Sequence, residues 1–264
     1  MSIRKHYLSR CIIKNFQEND NGTFYEYDCL RGTFQTRNIS KLFAGYHYWS
    51  DRFETILGTK YENELALVLT KYAHCPIEYE YTLGKERLVC PQYNGMQIHD
   101  ENERKILSKL LFQQILTQQK NSLPDEKAPE DVLEAFFSSE GLELQYPVIF
   151  EIARGFNMPP LILVDGIVFI FIAPCKEKDK LGHVCFMCPI SSNRLIIWGD
   201  KADCDFFAMK YRDINYLNLC MIERQSKECR IASQNKEYII WLSKRIQKFD
   251  SHENVKITSC RKSP

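Results

Sequence analysis

Leu161-Ile162-Leu163-Val164-Asp165-Gly166-Ile167-Val168-Phe169-Ile170-Phe171-Ile172-Ala173 is the longest apolar stretch of the chain, and its reading decides the fold class. Pro160 and Pro174 bound it, and Asp165 interrupts it. A membrane-spanning helix takes about 20 apolar residues, so this stretch is too short to cross a bilayer. Its β-branched and aromatic content predicts two buried strands. Asp165-Gly166 is a two-residue turn signal, which predicts a tight hairpin between them. Cys185 to Pro189 and Arg194 to Trp198 predict further strands, separated by Ser191-Ser192-Asn193.

Around this β segment the apolar period changes to that of a helix. Tyr61, Leu65, Val68, Leu69 and Tyr72 fall on one face of a helix predicted from Lys60 to Tyr72, which Cys75-Pro76 ends. A second helix is predicted from Glu101 to Lys120. Asp100 and Glu103 have the spacing of a capping box, and Ile106, Leu107, Leu110, Leu111 and Ile115 form its apolar stripe. Helices are also predicted over residues 130–139, over 144–158 from near Pro147 (Val148, Ile149, Ile152, Phe156), over 211–224 (Ile214, Leu217, Met221) and over 236–249 (Ile239, Leu242, Ile246, Phe249). Residues 79–93 read as irregular, and 121–129 as a polar linker.

The N-terminal fifty residues read as β. Cys11-Ile12-Ile13 is a β-branched run, Asn19-Asp20-Asn21-Gly22 is a turn signal, and Thr23 to Asp28 alternates in the β manner. Leu30-Arg31-Gly32-Thr33 turns again ahead of a third short strand from Phe34 to Ile39. Phe43, Tyr46, Tyr48 and Trp49 form an aromatic cluster suited to anchoring a core. The fold class expected is therefore α+β: an N-terminal hairpin or small sheet, a helical middle, and a C-terminal β segment with a closing helix. Residues 1–249 are expected to form one domain, with an internal division near 121–129, and 250–264 a disordered tail.

The 264-residue chain carries 35 basic and 34 acidic residues, a net charge of +1. Proteins that bind nucleic acid by neutralising phosphates usually show a basic excess, so net charge gives nucleic acid no support as a partner. No apolar region follows the early charges Arg4 and Lys5, so a cytoplasmic protein with no membrane partner is expected. Eleven cysteines in such a compartment are expected to be reduced and to pack as small apolar groups. His183-Val184-Cys185-Phe186-Met187-Cys188 contains half of a zinc motif. Cys185 and Cys188, three apart on a strand, would point to opposite faces, so structural roles are expected for both.

Several short motifs, taken in order, resemble the microbial family called domain of unknown function 4238. His6-Tyr7 opens an apolar run that closes on Asn15-Phe16, and Glu62 lies in Tyr61-Glu62-Asn63-Glu64-Leu65-Ala66, similar to the family's acidic helix. Leu161 to Asp165 resembles a family strand that ends in Asp, Cys188-Pro189-Ile190-Ser191 a Pro-Leu-Ser segment, and Ile214-Asn215-Tyr216-Leu217-Asn218 an Asn-containing helix. There are departures: Leu8-Ser9 stands where the family has Val-Pro, Ile167 replaces a Pro, and the long helix ends without the family's Arg.

The matched polar positions give one candidate constellation: His6, Glu62 and Asp165, followed by Asn215 and Asn218. A His with two carboxylates could hold a divalent metal that activates water, or divide acid and base roles. The function expected is a metal-assisted hydrolase, nuclease-like and acting in microbial defence. The alternative is a non-catalytic binding module that uses the aromatic-rich N-terminal region. No Gly-rich phosphate loop and no Gly-x-Ser-x-Gly elbow is present in the sequence.

Overall fold

A computed structural model describes residues 5–6, 10–45, 61–76, 93–119, 147–152, 159–173, 183–199, 214–224 and 229–251. Helices combine with two antiparallel sheets in an α+β fold, as the sequence predicts. The first sheet has the order β3-β2-β11-β7, from β2 (Thr23–Asp28), β3 (Thr33–Asn38), β7 (Leu163–Val164) and β11 (Arg230–Ser233). The second has the order β5-β6-β10-β9-β8, from β5 (Tyr93–Gln97), β6 (Pro147–Ile152), β8 (Phe169–Ala173), β9 (His183–Pro189) and β10 (Arg194–Trp198). A separate two-stranded ladder joins β1 (Lys5–His6) to β4 (Ala44–Gly45).

The long apolar stretch does form two strands, but Asp165-Gly166 does not close a hairpin between them. β7 pairs with β11 in the first sheet, through Ile231↔Val164 and Ala232↔Leu163, whereas β8 pairs with β9 in the second. The Asp-Gly pair is the crossing point between the sheets. A turn signal sets a local change of direction. It does not choose the partner, because strand pairing is fixed by distant apolar surface.

The segment from Pro147 to Ile152 is a strand, not a helix. β6 lies between β5 and β10, with Val148, Ile149, Phe150 and Ile152 buried. A continuous apolar run covered on both faces fits either element by period alone. Cys11-Ile12-Ile13 departs in the opposite sense and sits in α1 (Arg10–Asn15), where Ile12 and Ile13 are fully buried. β-branched residues disfavour a helix only slightly, and burial against the helix Glu62–His74 outweighs that. The helix predicted at 130–139, the linker at 121–129 and the tail beyond Ser251 lie outside the described residues, as do Tyr46, Tyr48 and Trp49.

The other helices agree with their apolar stripes. α2 (Glu62–His74) opens after Tyr61, and Tyr61, Leu65, Val68, Leu69 and Tyr72 are all buried. Cys75 follows in extended backbone at its C-terminus. α3 (Glu101–Gln119) buries Leu107, Leu110 and Leu111. α4 (Ile214–Arg224) buries Ile214, Leu217 and Met221, and α5 (Lys236–Ser251) buries Ile239 and Leu242. Buried apolar side chains from both sheets and the five described helices form one cluster.

The capping box at α3 is half formed. Asp100 Oδ1 accepts from the Glu103 N–H at 2.9 Å, which satisfies one orphan donor of the first turn. The Glu103 carboxylate turns to α2 instead, accepting from Lys71 Nζ at 2.6 Å and from the Tyr72 hydroxyl. Asp100→Ala should therefore lower stability by about 0.5–2 kcal/mol. The urea midpoint reads this directly, and an unmoved midpoint would remove the cap from the account. Arg194 holds the same C-terminal end of α2: Nη1 donates to the Tyr72 carbonyl at 2.8 Å, and Nε to Glu151 at 2.7 Å on the neighbouring strand.

Candidate functional site

The first sheet carries a row of charged side chains across three adjacent strands. In β2, alternation puts Phe24 and Glu26 on one face and Tyr25 and Tyr27 on the other. The register Asp28↔Arg230 and Glu26↔Ala232 places Arg230 on the Glu26 face. Leu163↔Ala232 does the same for Leu163, and Asp165, two residues on, follows it. Glu26, Arg230 and Asp165 thus share one side of the sheet. α5 lies on the opposite side, where Gln247 Nε2 donates to the Tyr27 hydroxyl at 3.1 Å.

Phe43 closes over this row. It holds a left-handed backbone, φ 52°, which costs a non-glycine residue strain of order 1 kcal/mol or more and persists only where surroundings fix it. Two charged side chains do the fixing. The Phe43 N–H donates to Glu26 Oε2 at 2.9 Å, and its carbonyl accepts from Arg230 Nη2 at 3.1 Å. The Arg230 guanidinium also lies 5.6 Å from the Phe43 ring centroid, within cation–π range.

Arg230 Nε donates to Asp165 Oδ2 at 3.3 Å, with both side chains mostly buried. The Asp165 backbone N–H in turn donates to the Arg230 carbonyl at 3.0 Å. Glu26, almost fully buried, pairs with Arg37 Nε at 3.6 Å. Burial raises the Asp165 carboxyl from its usual 3.8 to about 6, against the opposing pull of Arg230; the nearby Glu26 charge adds to the rise.

Two of the sequence-predicted residues are tied to the same segment. The main chain of His6 pairs with Ala44, the residue after Phe43, and Asp165 reaches the Phe43 carbonyl through Arg230. The side chain of His6 lies outside the described residues. Glu62 opens α2 at a half-buried position, after Tyr61, whose hydroxyl donates to the Ile106 carbonyl of α3 at 2.8 Å.

Asn215 and Asn218 separate in role. Asn215 is half-buried on the first turn of α4. Asn218 is fully buried and clamps three elements together. Its Nδ2 donates to the Pro160 carbonyl at 2.9 Å and to the Tyr238 hydroxyl at 2.8 Å, while Oδ1 accepts from the Ile162 N–H at 3.2 Å. These three bonds satisfy both amide N–H groups and one acceptor position of Asn218 and tie the core together.

Cys185 and Cys188 are both buried on β9, and Cys188 is opposite Ile196 of β10. Burial pushes the Cys188 thiol well above its usual range, which disfavours the thiolate that a metal needs. Among the described residues, no three His, Cys, Asp or Glu side chains gather as a metal-binding set.

Sequence reading missed Glu26 and Arg230. Glu26 carried a usable signal, since strict alternation puts it beside Phe24 on a face that must be buried. Arg230 carried none. Its strand is four residues long and pairs with partners far away in the sequence. No family model, curated protein or solved structure matches the chain. Among the described residues, no helix is long and apolar enough to cross a membrane.

Proposed function

We propose that the chain is a hydrolase in which Asp165 acts as general base, held and oriented by Arg230 beside the strand that carries His6. One observation carries this reading: Glu26, Arg230 and Asp165 form a charged row on a buried sheet face, closed by a strained Phe43. Strained backbone and clustered buried charges concentrate at reactive centres. A carboxyl held near 6 changes protonation close to neutral pH, where a base takes a proton from water and returns it to a leaving group most readily.

A resident divalent cation does not fit the described donors. Each carboxylate of the row already faces a guanidinium, Arg230 for Asp165 and Arg37 for Glu26, and a cation placed there would meet two positive charges. The proposed chemistry is therefore acid–base.

Hydrolysis of bis(p-nitrophenyl) phosphate and of single-stranded DNA, followed from pH 5 to pH 8, tests the proposal. The base needs its carboxylate form, so the rate should rise as pH passes about 6 and then level. Asp165→Asn should lower the rate about 100-fold or more and remove that limb, with native far-UV circular dichroism retained at pH 5. Asn mimics the neutral acid that burial favours there. No turnover of either substrate at any of these pH values would overturn the reading.

The β2–β3 hairpin favours a second reading, a binding module. β3 is an edge strand of the first sheet, and Leu30 and Phe34 are exposed on its hairpin. Among the described residues no further strand pairs with β3, and such an edge can accept an extended peptide as a further strand. Phe34→Lys should then abolish peptide binding and leave hydrolysis untouched, which separates the two readings.

A further inference from the structure

The hairpin and β11 also meet through two thiols. The ladder between β2 and β11 runs through Asp28↔Arg230, and one step further it sets Cys29 opposite Cys229. The Cys29 N–H donates to the Cys229 carbonyl at 3.1 Å, so the pairing continues to this position. The two sulfurs are 3.7 Å apart, with the Cys229 thiol donating to the Cys29 sulfur. Directly opposed residues of an antiparallel pair have Cβ atoms about 4.5–5.5 Å apart, and a disulfide needs about 3.5–4.5 Å. The ladder ends here. Cys29 already belongs to the turn between β2 and β3, which can supply the small approach required.

The two thiols are not equivalent. Cys29 is half-buried and can meet a solute, whereas Cys229 is buried and keeps its proton in the contact with Cys29. This order makes Cys29 the residue that meets an oxidant and Cys229 the one that resolves it.

We infer that Cys29 and Cys229 form a reversible dithiol site that a small-molecule disulfide such as oxidised glutathione converts to a cross-strand disulfide. The Cys29 thiolate attacks one sulfur of the oxidant, forming a mixed disulfide and releasing one glutathione thiolate, which takes up the Cys29 proton. Cys229 then loses its proton and attacks the Cys29 sulfur, and the second glutathione leaves as its thiol. Two protein thiols are oxidised and one glutathione disulfide is reduced to two thiols, so atoms and electrons balance. The bond ties the N-terminal hairpin to the C-terminal strand across a separation of 200 residues. It is independent of the hydrolase reading.

Equilibration of the native 264-residue chain in glutathione redox buffers, followed by acid quench, alkylation and tryptic mass spectrometry, tests this. Cleavage at Lys14, Arg31, Lys227 and Arg230 leaves Cys29 in the peptide 15–31 and Cys229 in the peptide 228–230, each with one cysteine. The expected result is a cross-linked pair of these peptides, two hydrogens lighter than their sum, that reduced glutathione removes. The melting temperature of the oxidised form should rise by about 10 °C, because the bond closes a long loop. Cys229→Ser should leave Cys29 trapped as its glutathione adduct, and Cys29→Ser should leave Cys229 unmodified. Separate alkylation of both residues at full oxidation in a natively folded sample would overturn the site. So would a cross-link that forms only in denaturant. Adduct formation on Cys229 in the Cys29→Ser protein would overturn the assigned order.

Discussion

Arg230→Met should destabilise the fold by about 3–5 kcal/mol, the range for removing one partner of a buried ion pair. Three contacts go at once: the bond to Asp165, the bond to the Phe43 carbonyl and the guanidinium over the Phe43 ring. Methionine replaces most of the volume, so the loss reports charge and hydrogen bonding rather than an empty space.

The loss should also depend on pH, and its sign follows from Asp165. In the folded wild type its carboxyl is raised from 3.8 to about 6, so the native state binds this proton more tightly than the unfolded chain. That contribution is fully present below about pH 4 and is lost as pH rises through about 6. At 1.36 kcal/mol per pH unit it amounts to about 3 kcal/mol. Without Arg230 the carboxyl should rise further, so destabilisation should be smaller at pH 5 than at pH 8. Urea unfolding at the two pH values measures this. Equal losses would show that Arg230 does not act as the counter-ion of Asp165.

The parts of the fold that were legible in the sequence are those whose cause is local. The α3 helix announces itself through Asp100 and an apolar stripe of period 3.6, and α5 through Ile239 and Leu242. The β2–β3 turn announces itself through Gly32, which takes a positive φ of 64°. What was misread depends on partners far along the chain. Val148, Ile149 and Ile152 fit a helical stripe as well as a strand buried on both faces, and only β5 and β10 on either side decide between them. Asp165-Gly166 has the chemistry of a hairpin turn, yet β7 and β8 enter different sheets.

The candidate site divides in the same way. Asp165 entered the candidate set through the family resemblance, and the residues around it pointed only to a turn before Gly166. Its partner was not legible, since Arg230 lies in a strand whose place in the sheet is set by β2 and β7. Topology supplied its counter-charge, Arg230.

Asn218, another of the candidate polar residues, makes its hydrogen bonds within the core. Asn218→Leu should destabilise the protein by about 2–6 kcal/mol, because two buried backbone groups lose their partners at about 1–3 kcal/mol each. These are the Ile162 N–H and the Pro160 carbonyl, at the entry to β7, and the Tyr238 hydroxyl loses an interaction on α5. Leucine is close in size, so packing changes little and the lost hydrogen bonds dominate. Tyr238→Phe alone should cost less, since the Asn218 amide retains its bonds to Pro160 and Ile162. The double variant should lose less than the sum of the two single losses, because Asn218→Leu has already removed the bond that Tyr238→Phe would break. Strictly additive losses in chemical unfolding would show that the three contacts do not act as one clamp. Under the hydrolase reading, the folded fraction of Asn218→Leu should turn over substrate at the wild-type rate, because this side chain lies in the core at the junction of β7, α4 and α5 and touches none of the charged row.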